Sequence, residues 1–195
     1  MKRREFIALL AGLAGARPFV AHSQPADRIR LVGVLMATGE NDPVGQARLT
    51  AFRDAFQELG WTEGRNVRFE IRWSRGDINR VRSFAAELVK LAPDVILSYG
   101  TSAIAALKPT TQSIPIVFVV VNDPVAQGFI PSVAHPGGTI TGFSFLDYSM
   151  IGKALGLLKE MAPSVSRIGF MFNPDDYPYY EVYLRSLQDQ RHALT

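Results

Sequence analysis

Two short apolar runs constrain the fold of this chain more than any other feature. Residues 116–121 read I-V-F-V-V-V and residues 95–97 read V-I-L, and neither run alternates apolar with polar side chains. Apolar, β-branched runs without alternation are typical of strands buried on both faces, which occur in parallel sheets covered by helices on either side. We therefore predict that these two runs form the central strands of a parallel sheet.

The rest of the chain alternates between strand and helix patterns, as such a sheet requires. Residues 29–36 are a largely apolar first strand, and residues 67–73 alternate apolar and charged side chains, which indicates an edge strand with one wet face. Apolar residues spaced three and four apart predict helices over 44–59 and 78–91. Further elements are predicted in the order helix 101–112, strand 140–145, helix 149–161, strand 167–172 and helix 177–190, with Pro109 expected to end or kink the first of these.

These elements predict an α/β fold in two parts. A first lobe over residues 28–147 holds a parallel sheet flanked by helices, and a partial second lobe over residues 148–195 begins another round of strand and helix. One strand and two helices cannot cover a sheet of their own. We therefore expect a truncated chain or dependence on a partner.

The first 23 residues have the pattern of a cleavable export signal. A basic run at residues 2–4 precedes an apolar stretch over residues 6–16, and A-H-S at 21–23 is a small-x-small cleavage site. The apolar stretch is well short of the roughly 20 residues that a transmembrane helix needs. We predict a signal peptide over residues 1–23 and a periplasmic protein. The paired arginines favour the twin-arginine route, although a Sec signal also begins with basic residues.

Cleavage of this segment removes the basic excess of the chain. The segment contains four of the 21 lysines and arginines and one of the 18 acidic residues, so the net charge of +3 becomes zero. A chain with equal numbers of both signs lacks the basic signature of nucleic-acid binding, and we expect no nucleic-acid partner. The sequence has no cysteine, which excludes disulfides, thiolate metal sites and a lipid anchor on a signal-peptide cysteine.

The motifs of the common enzyme classes are absent from the sequence. It has no nucleophile elbow, no P-loop and no two histidines at metal-ligand spacing. The junction after the first strand, residues 37–43, has one glycine where a dinucleotide site needs three. We therefore expect a protein without catalytic residues, metal or cofactor.

Polar residues follow the predicted strands at their carboxyl ends, where open parallel sheets bind ligands. Backbone N–H groups and hydroxyls at the start of the helix after residue 100 can receive a carboxylate, although Thr101 or Ser102 can equally cap that helix. Asp123 can receive an ammonium group, or form an Asx turn before proline. The candidate ligand-binding residues are Thr38, Tyr99, Gly100, Thr101, Ser102, Asn122, Asp123, Ser144 and Asn173.

Longer motifs resemble one known family. They are S-I-P-I-V-F at 113–118, D-P-V at 123–125, P-G-G-x-I-T-G-x-S-F at 136–145 and L-G-W-x-E-G-x-N-V at 59–67. They resemble the substrate-binding proteins of ABC transporters in the tryptophan/tyrosine-type family. The resemblance implies a two-lobed periplasmic binding protein of type I that holds a small ligand between its lobes and passes it to a membrane permease. It places residues 100–102, Asn122 and Asp123 on the ligand edge of the first lobe and Asn173 on that of the second. Members of the family are longer, so truncation within the second lobe is expected.

We therefore expect a non-enzymatic solute receptor of an ABC-type uptake transporter. Its ligand would be an aromatic or other amino acid, or a related carboxylate. A different hypothesis is a secreted α/β hydrolase or transferase that uses Asp123 or Ser102, but the sequence shows no basic partner for such a nucleophile. A third is the effector-sensing half of a transcription regulator, which shares this architecture by analogy only and which the export signal disfavours.

Overall fold

Strands and helices alternate along the structure, a computed structural model that describes residues 28–147, 149–169, 171, 181, 184, 185 and 188. Within them the strands are β1 (Arg30–Met36), β2 (Val67–Trp73), β3 (Val95–Tyr99), β4 (Ile116–Asn122) and β5 (Ile140–Leu146). The helices are α1 (Pro43–Glu58), α2 (Ile78–Lys90), α3 (Thr101–Leu107) and α4 (Ser149–Met161). All strand pairs are parallel and the order is β2-β1-β3-β4-β5, so the predicted α/β fold is confirmed.

Different helices cover the two faces of the sheet, and the strand order explains why. The chain runs from β1 outward to β2, then back past β1 to β3 and on to β4. Because crossovers between parallel strands are right-handed, a reversal of direction moves the connecting helix to the opposite face. Leu49 of α1 accordingly joins Val34 in one apolar cluster, while Leu88 of α2 and Ile104 of α3 join Ile96 in the other.

The two apolar runs lie in the middle of the sheet, as predicted. Ile96 of β3 and Phe118 of β4 are almost completely buried, and the alternating strand β2 lies at the edge. Burial is complete only on the α2 and α3 face, however. On the α1 face Val117 of β4 is half-buried, and Phe143 and Phe145 of β5 are 74% and 64% exposed. Val95 and Leu97 of β3 are likewise only half-buried on that face, so the prediction of burial on both faces is too strong for both runs.

Two element predictions differ from the structure. The helix predicted over 101–112 ends at Leu107, because Pro109 has no N–H with which to continue it. The strand predicted over 167–172 is absent at residues 167–169 and 171, and residues 170 and 172 lie outside the described set. A strand needs a neighbour with which to form its hydrogen-bond ladder, and the sheet of the described residues ends at β5.

Several predictions concern residues that the structure does not describe. The signal peptide over residues 1–23 lies outside the described residues, as do Asn173 and most of the helix predicted over 177–190. The boundary between the lobes at residues 147 and 148 stays a prediction. None of the helices in the described part of the chain has both the length and the apolar character to cross a membrane.

Asp94 joins the amino ends of the neighbouring strands β1 and β3. Its Oδ2 accepts the N–H of Leu31 at 2.9 Å and its Oδ1 accepts Nη1 of Arg30 at 2.8 Å. Its own N–H donates to the carbonyl of Leu31 at 2.8 Å. The backbone hydrogen bond from Leu31, with the nearby guanidinium groups of Arg30 and Arg28, lowers the pKa of the Asp94 carboxyl below its ordinary value. The ionised carboxylate therefore stabilises the folded state.

We expect Asp94→Asn to lower the free energy of unfolding by about 1–3 kcal/mol at neutral pH, because both bonds lose their charged acceptor. A carboxyl whose folded pKa is depressed stabilises the fold above its unfolded pKa, and this contribution is lost as pH falls through the folded pKa. Urea unfolding of the unmodified protein and of Asp94→Asn, from neutral pH down to about pH 3, measures the difference between their free energies of unfolding. This difference should shrink as the pH falls. A difference independent of pH would assign the loss to packing rather than charge.

Candidate functional site

One position along the carboxyl edge of the sheet has the topology of a ligand-binding crevice. The chain reverses its direction across the sheet between β1 and β3. At such a switch point the loops that follow two neighbouring strands leave on opposite faces and open a crevice, which is where open α/β sheets bind ligands. Here the crevice lies between the loop of residues 37–42 and the start of α3 at residues 100–102.

The two sides of this crevice contact each other directly. The N–H of Ala37 donates to the carbonyl of Tyr99 at 3.0 Å. Gly100 has a φ of 94°, which L-residues rarely adopt, and a Cβ added to it would lie 2.8 Å from Cβ of Ala37. Gly100 is therefore required both by its backbone conformation and by the close approach of the two loops.

Two hydroxyls near the crevice are buried without a hydrogen-bond partner among the described residues. They are Oγ1 of Thr38, just after β1, and Oγ of Ser98, within β3. The first turn of α1 lies against Thr38, since a Cβ at Gly45 would be 2.7 Å from the Thr38 Oγ1 atom. Ser98 is not among the residues predicted from the sequence.

Tyr99, the last residue of β3, holds an arginine that the sequence prediction missed. The Tyr99 hydroxyl accepts a hydrogen bond from Nη1 of Arg48, and the guanidinium carbon lies 5.4 Å from the centre of the tyrosine ring. Arg48 belongs to α1, four residues before Phe52 and three after Gly45. This spacing aligns the exposed Arg48 with residues of the helix that pack toward the sheet, which is the one sequence signal that could have identified it.

A cavity of about 380 Å³ lies between α1 and the carboxyl half of strands β1, β3 and β4. Among the described residues, Arg48 and Tyr99 are the lining residues with polar side chains; the lining surface itself is almost wholly apolar, and Arg48 is exposed. The full lining is Met36, Arg48, Leu49, Ala51, Phe52, Leu97, Tyr99, Val119 and Val120. Its size and its apolar walls with a polar corner are typical of a site for a small organic ligand.

Thr101 and Ser102 begin α3 and are half-buried. The N-cap of this helix is Gly100, and no side chain forms a capping hydrogen bond there. The structure therefore does not show the alternative prediction, in which Thr101 or Ser102 caps this helix. Both residues lie beside Tyr99 at the crevice.

Asn122 and Asp123 lie one strand further from the switch point, at the end of β4. Oδ1 of Asp123 accepts the N–H of Ala126 at 3.0 Å, so this carboxylate oxygen stabilises the turn that follows the strand. The turn interpretation of Asp123 is thus present in the structure. Asp123 has a φ of 36° and Val120 a φ of 58°, which are uncommon conformations for residues other than glycine.

Ser144 lies apart from the other candidates. It is inside β5, pairs with Val121 and is exposed, and the strand continues to Leu146. Since neighbouring strands are about 4.8 Å apart, β5 lies roughly 10 Å from the end of β3. In the described residues, no three histidine or acidic side chains come together as a metal site.

We expect Gly100→Ala to destabilise the fold by about 2 kcal/mol or more, because strain at positive φ adds to the clash with Ala37. Gly64→Ala is the matched control, since Gly64 has a φ of 82° and nothing within 4 Å of an added Cβ. It should show only the conformational cost, about 1 kcal/mol. Thermal and urea unfolding of the two variants measure this. Equal losses would contradict the close contact between the loops.

Comparison with known proteins identifies the family. The family model described as ABC transporter substrate binding protein matches residues 40–185, about three quarters of the chain. A curated relative, the tyrosine-binding protein of Clostridioides difficile (strain R20291), is 31% identical over 125 residues, which are 64% of this chain and 36% of that protein.

Solved structures show the same fold. A conserved domain protein from Vibrio cholerae O1 biovar El Tor has a TM-score of 0.69 and 29% identity, covering 86% of this chain and 53% of that one. An ABC domain in complex with L-Trp from Streptococcus pneumonia has a TM-score of 0.68, with the same coverage; at 22% identity it shows the fold alone. This chain spans about half the length of these structures and about a third of the curated relative.

These findings confirm the predicted family, the type I periplasmic-binding-protein fold and the non-enzymatic class. The matched family is one of substrate-binding proteins rather than enzymes. The chain belongs to the family of ABC transporter substrate binding proteins.

Proposed function

We propose that this protein is the solute-binding component of an ABC-type uptake transporter and that its ligand is an aromatic amino acid or a related carboxylate. The observation that carries the proposal is the crevice between β1 and β3 in a chain of the substrate-binding family. A relative that is 31% identical is a tyrosine-binding protein, which supports the same ligand class for this chain.

We place the ligand at the carboxyl edge, near Thr38, Tyr99 and residues 100–102. Thr101 and Ser102 offer hydroxyls, and Asn122 and Asp123 lie at the end of the neighbouring strand β4. Residues 148–195 would begin a second lobe that closes over the ligand and carries Asn173, and a membrane permease would receive the ligand from the closed form. This domain arrangement and the permease partner are part of the proposal.

The test of ligand class is isothermal titration of the purified full-length protein with L-tyrosine, L-tryptophan, L-phenylalanine, L-leucine and 4-hydroxybenzoate. We expect saturable binding of at least one aromatic carboxylate, together with a rise in melting temperature from preferential binding to the native state. An absence of heat and of thermal shift across the whole panel would overturn the proposal.

Asp123→Asn separates the two roles suggested for Asp123. Asparagine keeps a side-chain oxygen that can accept the N–H of Ala126, so the turn and the melting temperature should change little. It removes the negative charge, so an amino acid whose ammonium pairs with Asp123 should bind about 10-fold or more weakly. Unchanged affinity for amino acids would leave Asp123 with the turn role alone.

We also propose that residues 1–23 direct the protein to the periplasm and are then removed. Mass spectrometry of protein recovered from the periplasmic fraction should show an N-terminus close to residue 24. Replacement of Arg3 and Arg4 by lysine should block export by the twin-arginine route and spare export by Sec. Cytoplasmic protein that retains residues 1–23 would contradict the export proposal.

A further inference from the structure

The cavity beside α1 has apolar walls, and the two lining residues with polar side chains, Arg48 and Tyr99, meet at one corner of it. Met36, Phe52, Leu97 and Val119 supply wall atoms that form no hydrogen bonds through their side chains. The corner is formed by Arg48 and by Tyr99, which is 6% exposed. A ligand that fits both parts needs a hydrocarbon body and a polar group at one end.

Arg48 has a charge without a carboxylate partner in the described part of the chain. Its described contacts are the Tyr99 hydroxyl, which is neutral, and the Tyr99 ring. Arg53 on the same helix differs, because its Nη2 lies 3.6 Å from Oε2 of Glu63. Arg48 is an exposed residue that lines the cavity, and its contacts with Tyr99 leave its positive charge unpaired by any described acid.

The hydrogen-bond chemistry of this corner selects an anion. Arg48 is a donor only, with five N–H groups, and one of them donates to the Tyr99 oxygen. Because that oxygen acts as an acceptor, the phenolic proton remains able to donate to a second group. Two kinds of donor therefore lie side by side, and a carboxylate can accept from both through its two oxygens.

The size and the walls of the cavity restrict the body of the ligand. A volume of about 380 Å³ is at the lower end of the usual range for small-molecule sites. Apolar walls favour an aromatic or branched hydrocarbon, because burial of a hydroxyl or ammonium group without a partner costs free energy. A phosphate or a sugar acid would leave its other polar atoms against Leu97 and Val119.

We propose that Arg48 and Tyr99 form the carboxylate anchor of a site for aromatic or branched apolar acids, with the hydrocarbon body in the cavity between α1 and β3–β4. This inference rests on the proposed function and deepens it. It assigns Arg48 as the residue that makes the site selective for acids over amines of the same shape.

The experiment uses pairs of probes that differ only in the anchoring group. L-Phenylalanine and 3-phenylpropionate have the carboxylate, and phenethylamine lacks it. Arg48→Gln should weaken binding of both acids about 10- to 100-fold, the loss expected when a hydrogen-bonded charge partner is removed. If the unmodified protein binds phenethylamine, Arg48→Gln should bind it with no loss of affinity. Arg48→Lys, which keeps the charge but not the planar donor fork, should lose less, and Tyr99→Phe should weaken the acids about 5- to 10-fold.

Arg53→Gln is the matched control, since it removes a guanidinium from the same helix at a site paired with Glu63. Its affinity for the acids should equal that of the unmodified protein. If the unmodified protein binds the acids and Arg48→Gln binds them as well as Arg53→Gln does, the anchor is overturned while the proposed function stands. If the unmodified protein binds no acid of the panel, both are overturned. Melting temperatures of the variants identify any loss caused by unfolding.

Discussion

The parallel pairing of β1 with β3 is the constraint on which the other features of this structure depend. Five register pairs, from Val32 with Val95 to Met36 with Tyr99, bring together two strands that are separated in the chain by β2 and two helices. Because the winding direction reverses at this pair, α1 lies on one face and α2 and α3 on the other. The same reversal separates the loops above β1 and β3 and creates the crevice.

The two ends of this strand pair have different physical roles. At the amino end Asp94 joins both strands with charge-assisted hydrogen bonds, and its depressed pKa shows that the folded state favours its ionised form. At the carboxyl end, Thr38 and Ser98 have buried hydroxyls without described partners, and Gly100 adopts a positive φ. Charge-assisted pairing at the amino end and polar groups at the carboxyl end suit an α/β sheet that binds ligands at its carboxyl edge.

The strands of the sheet and some residues of the candidate site could be predicted from the sequence, because both predictions use local patterns. A β-branched run indicates a buried strand wherever it pairs, and the residue after a strand lies at the carboxyl edge whatever the neighbours. Thr38, Tyr99 and Gly100 could be placed in this way. The coverage of β5 could not, since exposure of Phe143 and Phe145 depends on which helices reach that strand. Strand pairing of residues 167–169 likewise depends on a neighbour that a local pattern does not supply.

The contact of Arg48 with Tyr99 is an example of what local sequence patterns cannot predict. Arg48 contacts Tyr99 across 51 positions of sequence, so its role arises only when α1 packs on β3. That contact changes the chemistry predicted for the site. From the sequence, the candidate site offers neutral hydroxyls after β3 and one negative charge, that of Asp123, after β4. The structure adds the positive charge of Arg48 on the β3 side. It also shows that one oxygen of Asp123 is already bonded to the N–H of Ala126 in the turn. The ends of β3 and β4 are about 4.8 Å apart, close enough for the carboxylate and ammonium of one α-amino acid to reach both. Both contacts would be charge-assisted, but the guanidinium can bond both oxygens of a carboxylate whereas Asp123 has one oxygen engaged in its turn. We therefore expect loss of the carboxylate from a ligand to cost more affinity than loss of the ammonium.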